Sequence, residues 1–289
     1  MSIIEYEYRF INYNKHKIIK KLKELGAYQV HEPMLYPLCT FKLPNNEDKK
    51  KYLRVRKEYD SIKIAYKEHG KDDFPLELEV KVDNFNNTIN LFKKLGYEIN
   101  YCIEKIREKW SMEHCKEIIF DSYPGGIEWM EVECDTKEYL EEITKKLGLK
   151  REKNFNLEDV LLNYFGIIQP SDFKAGLSIK TAKSILSPYI KKNIDLFNQN
   201  IDNQNKLLES IEKNKINKEV YENFEKESFE IKNKLINLYM SKSKKYVKKQ
   251  SIKKQSIKKQ SIKKQSIKKQ SIKKQSIKKQ SIKKQSIKK

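Results

Sequence analysis

Polar and apolar residues alternate from Glu5 to Phe10. In an extended strand this places Glu5, Glu7 and Arg9 on one face and Tyr6, Tyr8 and Phe10 on the other. The same period of two recurs further along. Arg54 and Arg56 alternate with Leu53 and Val55, and Lys63 and Lys67 share a face in Ser61–Lys67. Glu77, Glu79 and Lys81 form another such set, followed by Lys105, Arg107 and Lys109, and by Glu131 and Glu133. Between these stretches the period lengthens. Ile18, Ile19, Leu22 and Leu25 line one face of a helix over about 15–25, which ends at Gly26.

Part of the pattern is duplicated. Glu79-Val80-Lys81-Val82-Asp83 leads to Lys94-Leu95-Gly96, and Glu131-Val132-Glu133-Cys134-Asp135 leads to Lys146-Leu147-Gly148, 52 residues on throughout. Each copy predicts a strand and then a helix, started by an Asp or Thr and stopped by a glycine. A repeated strand–helix unit suits a pseudo-symmetric sheet.

One strand with a charged face ordinarily turns it to water. Six such strands, with amphipathic helices that need an apolar surface, impose a different solution. The apolar faces point outward to carry the helices, and the charged faces line an interior. The predicted fold is α+β: an antiparallel closed β-barrel tunnel with a polar lumen and helices packed outside. Lumen candidates are the acids Glu5, Glu7, Glu77, Glu79, Asp121, Glu131 and Glu133, and the bases Arg9, Arg54, Arg56, Lys63, Lys67, Lys105, Arg107 and Lys109. Such charges are tolerable inside only when paired or bound to ions.

Composition divides the chain into a tunnel domain over 1–168, a helical region over 169–240 and a low-complexity tail over 241–289. In the helical region Ile194, Phe197, Ile201, Leu208 and Ile211 recur at helical spacing, followed by Val220, Phe224, Phe229, Ile231, Leu235 and Leu238. Either a hairpin on the barrel or a self-associating coil satisfies this stripe.

The net charge of +22 belongs almost entirely to the tail: residues 251–289 hold 16 lysines and 241–250 hold 5, without an acid. The repeated SIKKQ step gives neither a helix nor a strand an apolar side, so the tail is expected to be disordered. Its lysines suit nonspecific nucleic acid or another acidic surface, and slippage without function is the equal alternative. Cys39, Cys102, Cys115 and Cys134 show no CxxC pair, which argues against a disulfide framework or a zinc site. No apolar run reaches membrane-spanning length, and Glu5 and Glu7 stand where a signal peptide needs basic residues. A cytoplasmic protein without a transmembrane segment is the expectation.

Taken together, the motifs resemble the CYTH superfamily, the triphosphate tunnel metalloenzymes. Glu5-x-Glu7-x-Arg9 resembles its ExExK signature, with Arg in place of the usual Lys. Leu53-Arg54-Val55-Arg56 resembles LRIR, and Ile64–Lys67 resembles the strand ending in a lumen lysine. Leu76–Val80 resembles the acidic pair, and Lys105-x-Arg107-x-x-Trp110 the KxRxxW strand. Phe120-Asp121-x-x-Pro124-Gly125 and Glu128–Glu133 resemble LDxVPG and GDFVEIE, and Leu161–Ile167 the closing helix. The PGLG turn here reads Pro124-Gly125-Gly126-Ile127, an aspartate common near the second strand is missing from Pro37–Phe41, and the His-Phe that precedes the signature in some cyclases is absent.

The resemblance implies an enzyme: a metal-dependent phosphohydrolase acting on inorganic triphosphate, thiamine triphosphate or a nucleoside triphosphate. Alternatives are a class IV adenylate cyclase, an RNA 5′-triphosphatase, and a non-catalytic polyphosphate or nucleotide binder. Arg9, Arg54, Arg56, Lys63, Lys67, Lys105 and Arg107 are the implied triphosphate ligands. Glu5, Glu7, Glu79, Asp121, Glu131 and Glu133 are implied for Mg²⁺ or Mn²⁺. Glu5, Glu7, Lys67 and Arg107 are the implied catalytic set.

Overall fold

A computed structural model of the chain describes residues 3–43, 51–69, 74–151, 164–166, 176–213 and 216–238. The chain divides into a compact unit over 1–236 and a second over 237–289. The basic tail and most of the expected closing helix Leu161–Ile167 lie outside the described residues.

The strands are β1 (Ile3–Ile4), β2 (Tyr6–Phe10), β3 (Tyr28–Phe41), β4 (Lys51–Lys57), β5 (Ile62–Glu68), β6 (Leu76–Val82), β7 (Ile99–Met112), β8 (Cys115–Ser122) and β9 (Trp129–Cys134). They form one antiparallel sheet in the order β1-β6-β5-β4-β3-β7-β8-β9-β2. The two ends of that order are halves of a single N-terminal strand, broken at Glu5. Ile3 pairs with Glu77 of β6, and Tyr6 pairs with Cys134 of β9. Glu5 N–H donates to the Pro75 carbonyl at 3.0 Å across the break. The ladder therefore runs full circle, which removes the exposed edges of an open sheet.

The duplicated unit occupies equivalent places: β6 and β9 flank the split strand, each followed by a helix, α2 (Phe85–Lys94) and α3 (Lys137–Leu147). Thr136 caps α3 through Tyr139 N–H, and Gly148 closes it in the left-handed conformation at φ 74°. The α2 cap is Asn84 rather than Asp83, accepting from Asn87 N–H, because the strand runs to Val82 and leaves Asp83 in the bend.

The outward faces are apolar as expected. The first helix, α1 (Lys15–Glu24), and α3 place Ile18, Leu22, Leu140 and Ile143 against Tyr8, Phe10, Ile118, Phe120, Met130 and Val132. Phe85, Ile89 and Phe92 of α2 cover Val55 and Phe41. Each such side chain buried fully contributes about 1.5–3 kcal/mol.

The region after the barrel is helical: α4 (Ile179–Leu186), α5 (Ile194–Glu212) and α6 (218–238). Phe197, Ile201, Leu208, Phe224, Ile231 and Leu235 join Ile106 and Leu38 of the barrel in one apolar cluster. The stripe is thus spent on the barrel, and a self-associating coil loses its surface. Leu177 adds to the free edge of β7, accepting from Glu104 N–H at 3.0 Å and donating to the Cys102 carbonyl at 2.9 Å.

All four cysteines are paired, Cys39 with Cys102 and Cys115 with Cys134, against the sequence expectation. Register rather than spacing brings them together: Cys39 lies directly opposite Cys102 in the β3–β7 ladder. Among the described residues no helix is long and apolar enough to cross a membrane.

Candidate functional site

Closing the sheet turns the charged rows inward, and register decides which side chains meet. Across β2, β9 and β8, Glu7 faces Glu133 and Glu133 faces Glu117; one step along, Arg9 faces Glu131. Arg107 faces Asp121, and Lys67 faces Glu77.

The bases sit deep. Lys67, Lys105, Arg107 and Arg56 are each at most 6% exposed. Every one is held by carboxylates. Arg107 makes a two-point bond to Asp121 at 2.7 and 2.6 Å, and Lys105 shares that carboxylate. Arg9 donates to Glu131 at 2.6 Å and Glu7 at 3.0 Å. Lys67 reaches Glu5, and Glu7 at 3.6 Å. Arg54 pairs with Glu77 at 3.0 Å, and Lys63 with Glu79 at 2.8 Å. Arg56 meets Glu58, and Glu79 at 3.5 Å, while Lys109 binds Glu117 at 2.5 Å.

Burial makes these pairings consequential, because an unpaired charge here costs several kcal/mol. Burial raises the Glu5 carboxyl well above the usual range, reinforced by its hydrogen bond to Glu77, and the Lys67 charge offsets only part of this. Burial alone would raise Glu131 too, but Arg9, Lys105 and Arg107 hold it well below the carboxylate range. Burial and then Arg107 push the Lys105 ammonium down to about 7 against the pull of Asp121. Burial and the facing Glu117 push Glu133 up to about 7.

All thirteen residues expected to carry the chemistry lie in this lumen network, but not in equal positions. Glu5, Glu7, Glu131 and Glu133 group along the β2–β9 seam. Glu79 lies on β6 with Lys63 and Arg56 instead. Asp121 is fully buried and occupied by two bases. Among the described residues, no three carboxylate, imidazole or thiol side chains are arranged to hold a metal ion by themselves.

The structure adds residues that the sequence reading left out. Glu117 and Glu58 face the lumen, each an even number of positions from an assigned residue: Glu117 lies four before Asp121, and Glu58 two beyond Arg56. Tyr36 also points in: its hydroxyl lies 2.6 Å from His31 Nε2, and its ring lies 5.2 Å from the Arg107 guanidinium carbon.

The family model for the CYTH domain matches residues 4–165. No curated protein matches the chain. Solved structures are similar over part of the chain. A Pyrococcus horikoshii protein is 26% identical, over 52% of this chain and 96% of its own, with a TM-score of 0.44. A candidate adenylate cyclase of Vibrio parahaemolyticus is 16% identical, over 56% and 99%, with a TM-score of 0.48. A candidate adenylyl cyclase of Hippeastrum, reported to show a dominant triphosphatase activity, is 15% identical, over 60% and 100%, with a TM-score of 0.39. With the family model covering more than half of its length and the signature acids and bases gathered in one closed barrel, the chain belongs to the CYTH domain family.

Proposed function

We propose that the barrel binds a triphosphate lengthwise and cleaves it with the help of Mg²⁺ or Mn²⁺. The observation that carries this reading is the lumen itself: buried bases from β4, β5 and β7 face carboxylates from β2, β6 and β9 across one enclosed space.

A triphosphate carries about four negative charges, and Arg56, Arg107 and Arg54 present planar forks suited to its oxygens. Without ligand those forks are neutralised by Glu58, Glu79, Glu77 and Asp121. A phosphate chain entering the lumen exchanges these partners, taking the bases and releasing carboxylates. The released acids then need a cation of their own.

The row Glu7–Glu133–Glu117 fits that need. Like charges one strand apart repel; burial first, and then Glu117, raise the Glu133 carboxyl, against the pull of Lys116 at 2.7 Å. Hard oxygen donors in small number suit Mg²⁺ or Mn²⁺, which take much of their shell from phosphate and water. Glu7, Glu133, Glu5 and Glu131 are the residues that would hold the ion; when bound it supplies charge neutralisation and a polarised water. Arg107 and Lys67 neutralise charge that develops on the phosphoryl oxygens, and the closed wall excludes bulk water.

Incubating the protein with ATP, tripolyphosphate, thiamine triphosphate and triphosphate-ended RNA, with Mg²⁺ or Mn²⁺, tests the reading. Orthophosphate release supports hydrolysis, whereas pyrophosphate with cyclic AMP supports cyclisation. Tight binding without turnover reduces the barrel to a polyphosphate or nucleotide binder.

A further inference from the structure

The residues that bind and react lie before residue 165, yet α5 reaches the wall of the same tunnel. Asn200 and Gln204, one turn apart on α5, are 3% and 1% exposed. Both spend their amides on the turn between β8 and β9. Gln204 Oε1 accepts from Gly125 N–H at 2.7 Å, and its Nε2 donates to the Tyr123 carbonyl at 2.9 Å. Asn200 Nδ2 donates to the carbonyls of Gly126 at 2.6 Å and Gly125 at 3.1 Å.

Phe197, one turn earlier, closes the arrangement. A Cβ on Gly125 would lie 1.9 Å from the Phe197 ring, and Gly125 has φ +70°. Only glycine accepts both the contact and the left-handed backbone.

The two flanks of this turn enter the lumen. Tyr123 stacks on Trp129 with centroids 4.8 Å apart and planes 20° from parallel. Trp129 Nε1 donates to Glu131 Oε1 at 3.3 Å, on the same carboxylate that Arg9 holds. An apolar contact would suffice to cover the turn. Two buried amides that satisfy four backbone groups also fix its orientation.

We infer that Asn200 and Gln204 are positioning residues: they set the β8–β9 turn and, through Tyr123 and Trp129, place the Glu131 carboxylate in the tunnel. The inference rests on the triphosphate reading above and extends the working site to a helix beyond the matched family region.

Gln204→Met keeps most of the volume and removes both hydrogen bonds; Asn200→Ala removes the others. The probes are Mn²⁺ titrated into protein carrying one equivalent of tripolyphosphate, followed by the electron spin resonance of the free ion, and tripolyphosphate alone, followed by calorimetry. The expected result is Mn²⁺ binding weakened about tenfold in both variants, with metal-free tripolyphosphate affinity kept within twofold. Leu207→Ala, a buried α5 change in the apolar cluster that removes no hydrogen bond to the turn, lowers Tm and leaves Mn²⁺ binding alone. Mn²⁺ affinity that is unchanged in Gln204→Met, or that falls equally in Leu207→Ala, overturns the positioning role. A wild-type protein that binds tripolyphosphate but takes up no Mn²⁺ overturns this inference alone, and one that binds no tripolyphosphate removes the tunnel reading with it.

Discussion

Arg9 Nε donates to Glu131 Oε1 at 2.6 Å, and so one guanidinium ties β2 to β9 at the seam where the barrel closes. The same Arg9 also reaches Glu7, and Lys67 reaches both Glu5 and Glu7. Removing Glu7 therefore leaves each base a carboxylate. In Glu7→Ala the fold is expected to survive, with Tm within a few degrees of wild type. Metal-dependent turnover is expected to fall roughly a hundredfold or more, the scale of losing a metal's charge stabilisation. Thermal unfolding together with phosphate release checks both halves, and near-full turnover would remove the metal role of this acid.

Lys105 predicts a proton linkage. Burial and the neighbouring Arg107 push its ammonium down to about 7, so above that pH its proton is readily lost. A polyanion favours the charged form and restores the proton. Tripolyphosphate binding above pH 7 is therefore expected to take up a proton, and affinity should weaken as pH rises. Calorimetry in buffers of different ionisation enthalpy measures the uptake. Lys105→Arg, charged at every accessible pH, should abolish it.

The disulfides make a prediction that conflicts with a reducing cytoplasm. Alkylation of the unfolded, unreduced protein should find no free thiol, and reduction should expose all four cysteines. Reduction is expected to cost about 2–4 kcal/mol per bridge in denaturant unfolding. Four thiols in protein from its native compartment would show that the bridges are not used there.

A second buried network lies outside the lumen. Lys15 Nζ sits 2.7–2.8 Å from Glu108, Glu128 and Glu225, joining α1, the barrel and α6. Lys15→Met takes from these three acids their shared ammonium and is expected to cost about 3–5 kcal/mol at pH 7, although Glu108 keeps Trp110 and Tyr221 and Glu128 keeps Tyr13. Acids so deprived have raised folded pKa values, so they bind extra protons and the fold regains stability as pH falls. Denaturant unfolding at pH 7 and pH 5 should show the deficit shrinking at pH 5, and a constant deficit would contradict this account.

Much of the lumen was legible in the sequence because a period of two needs no tertiary information. Glu5, Arg54, Lys67 and Glu131 could each be assigned to a face from their immediate neighbours. Glu117 escaped because Ile118-Ile119-Phe120 is apolar throughout and hides the alternation, although counting back from Asp121 reaches it. The cysteine pairs and the Gln204 contact with Gly125 depend on register and on packing between distant segments, which local pattern does not encode. The Asn84 cap shifted by one residue for a similar reason, since the strand end is set by pairing with β5.

The central claim is that the inward-facing bases grip a phosphate chain, and calorimetric titration of tripolyphosphate tests it most directly. Arg56→Ala and Arg107→Ala should each weaken binding about ten- to a hundredfold, the scale of a hydrogen-bonded charge, whereas Lys137→Ala on the exposed surface should leave it unchanged. Equal affinity in all four proteins would contradict the account.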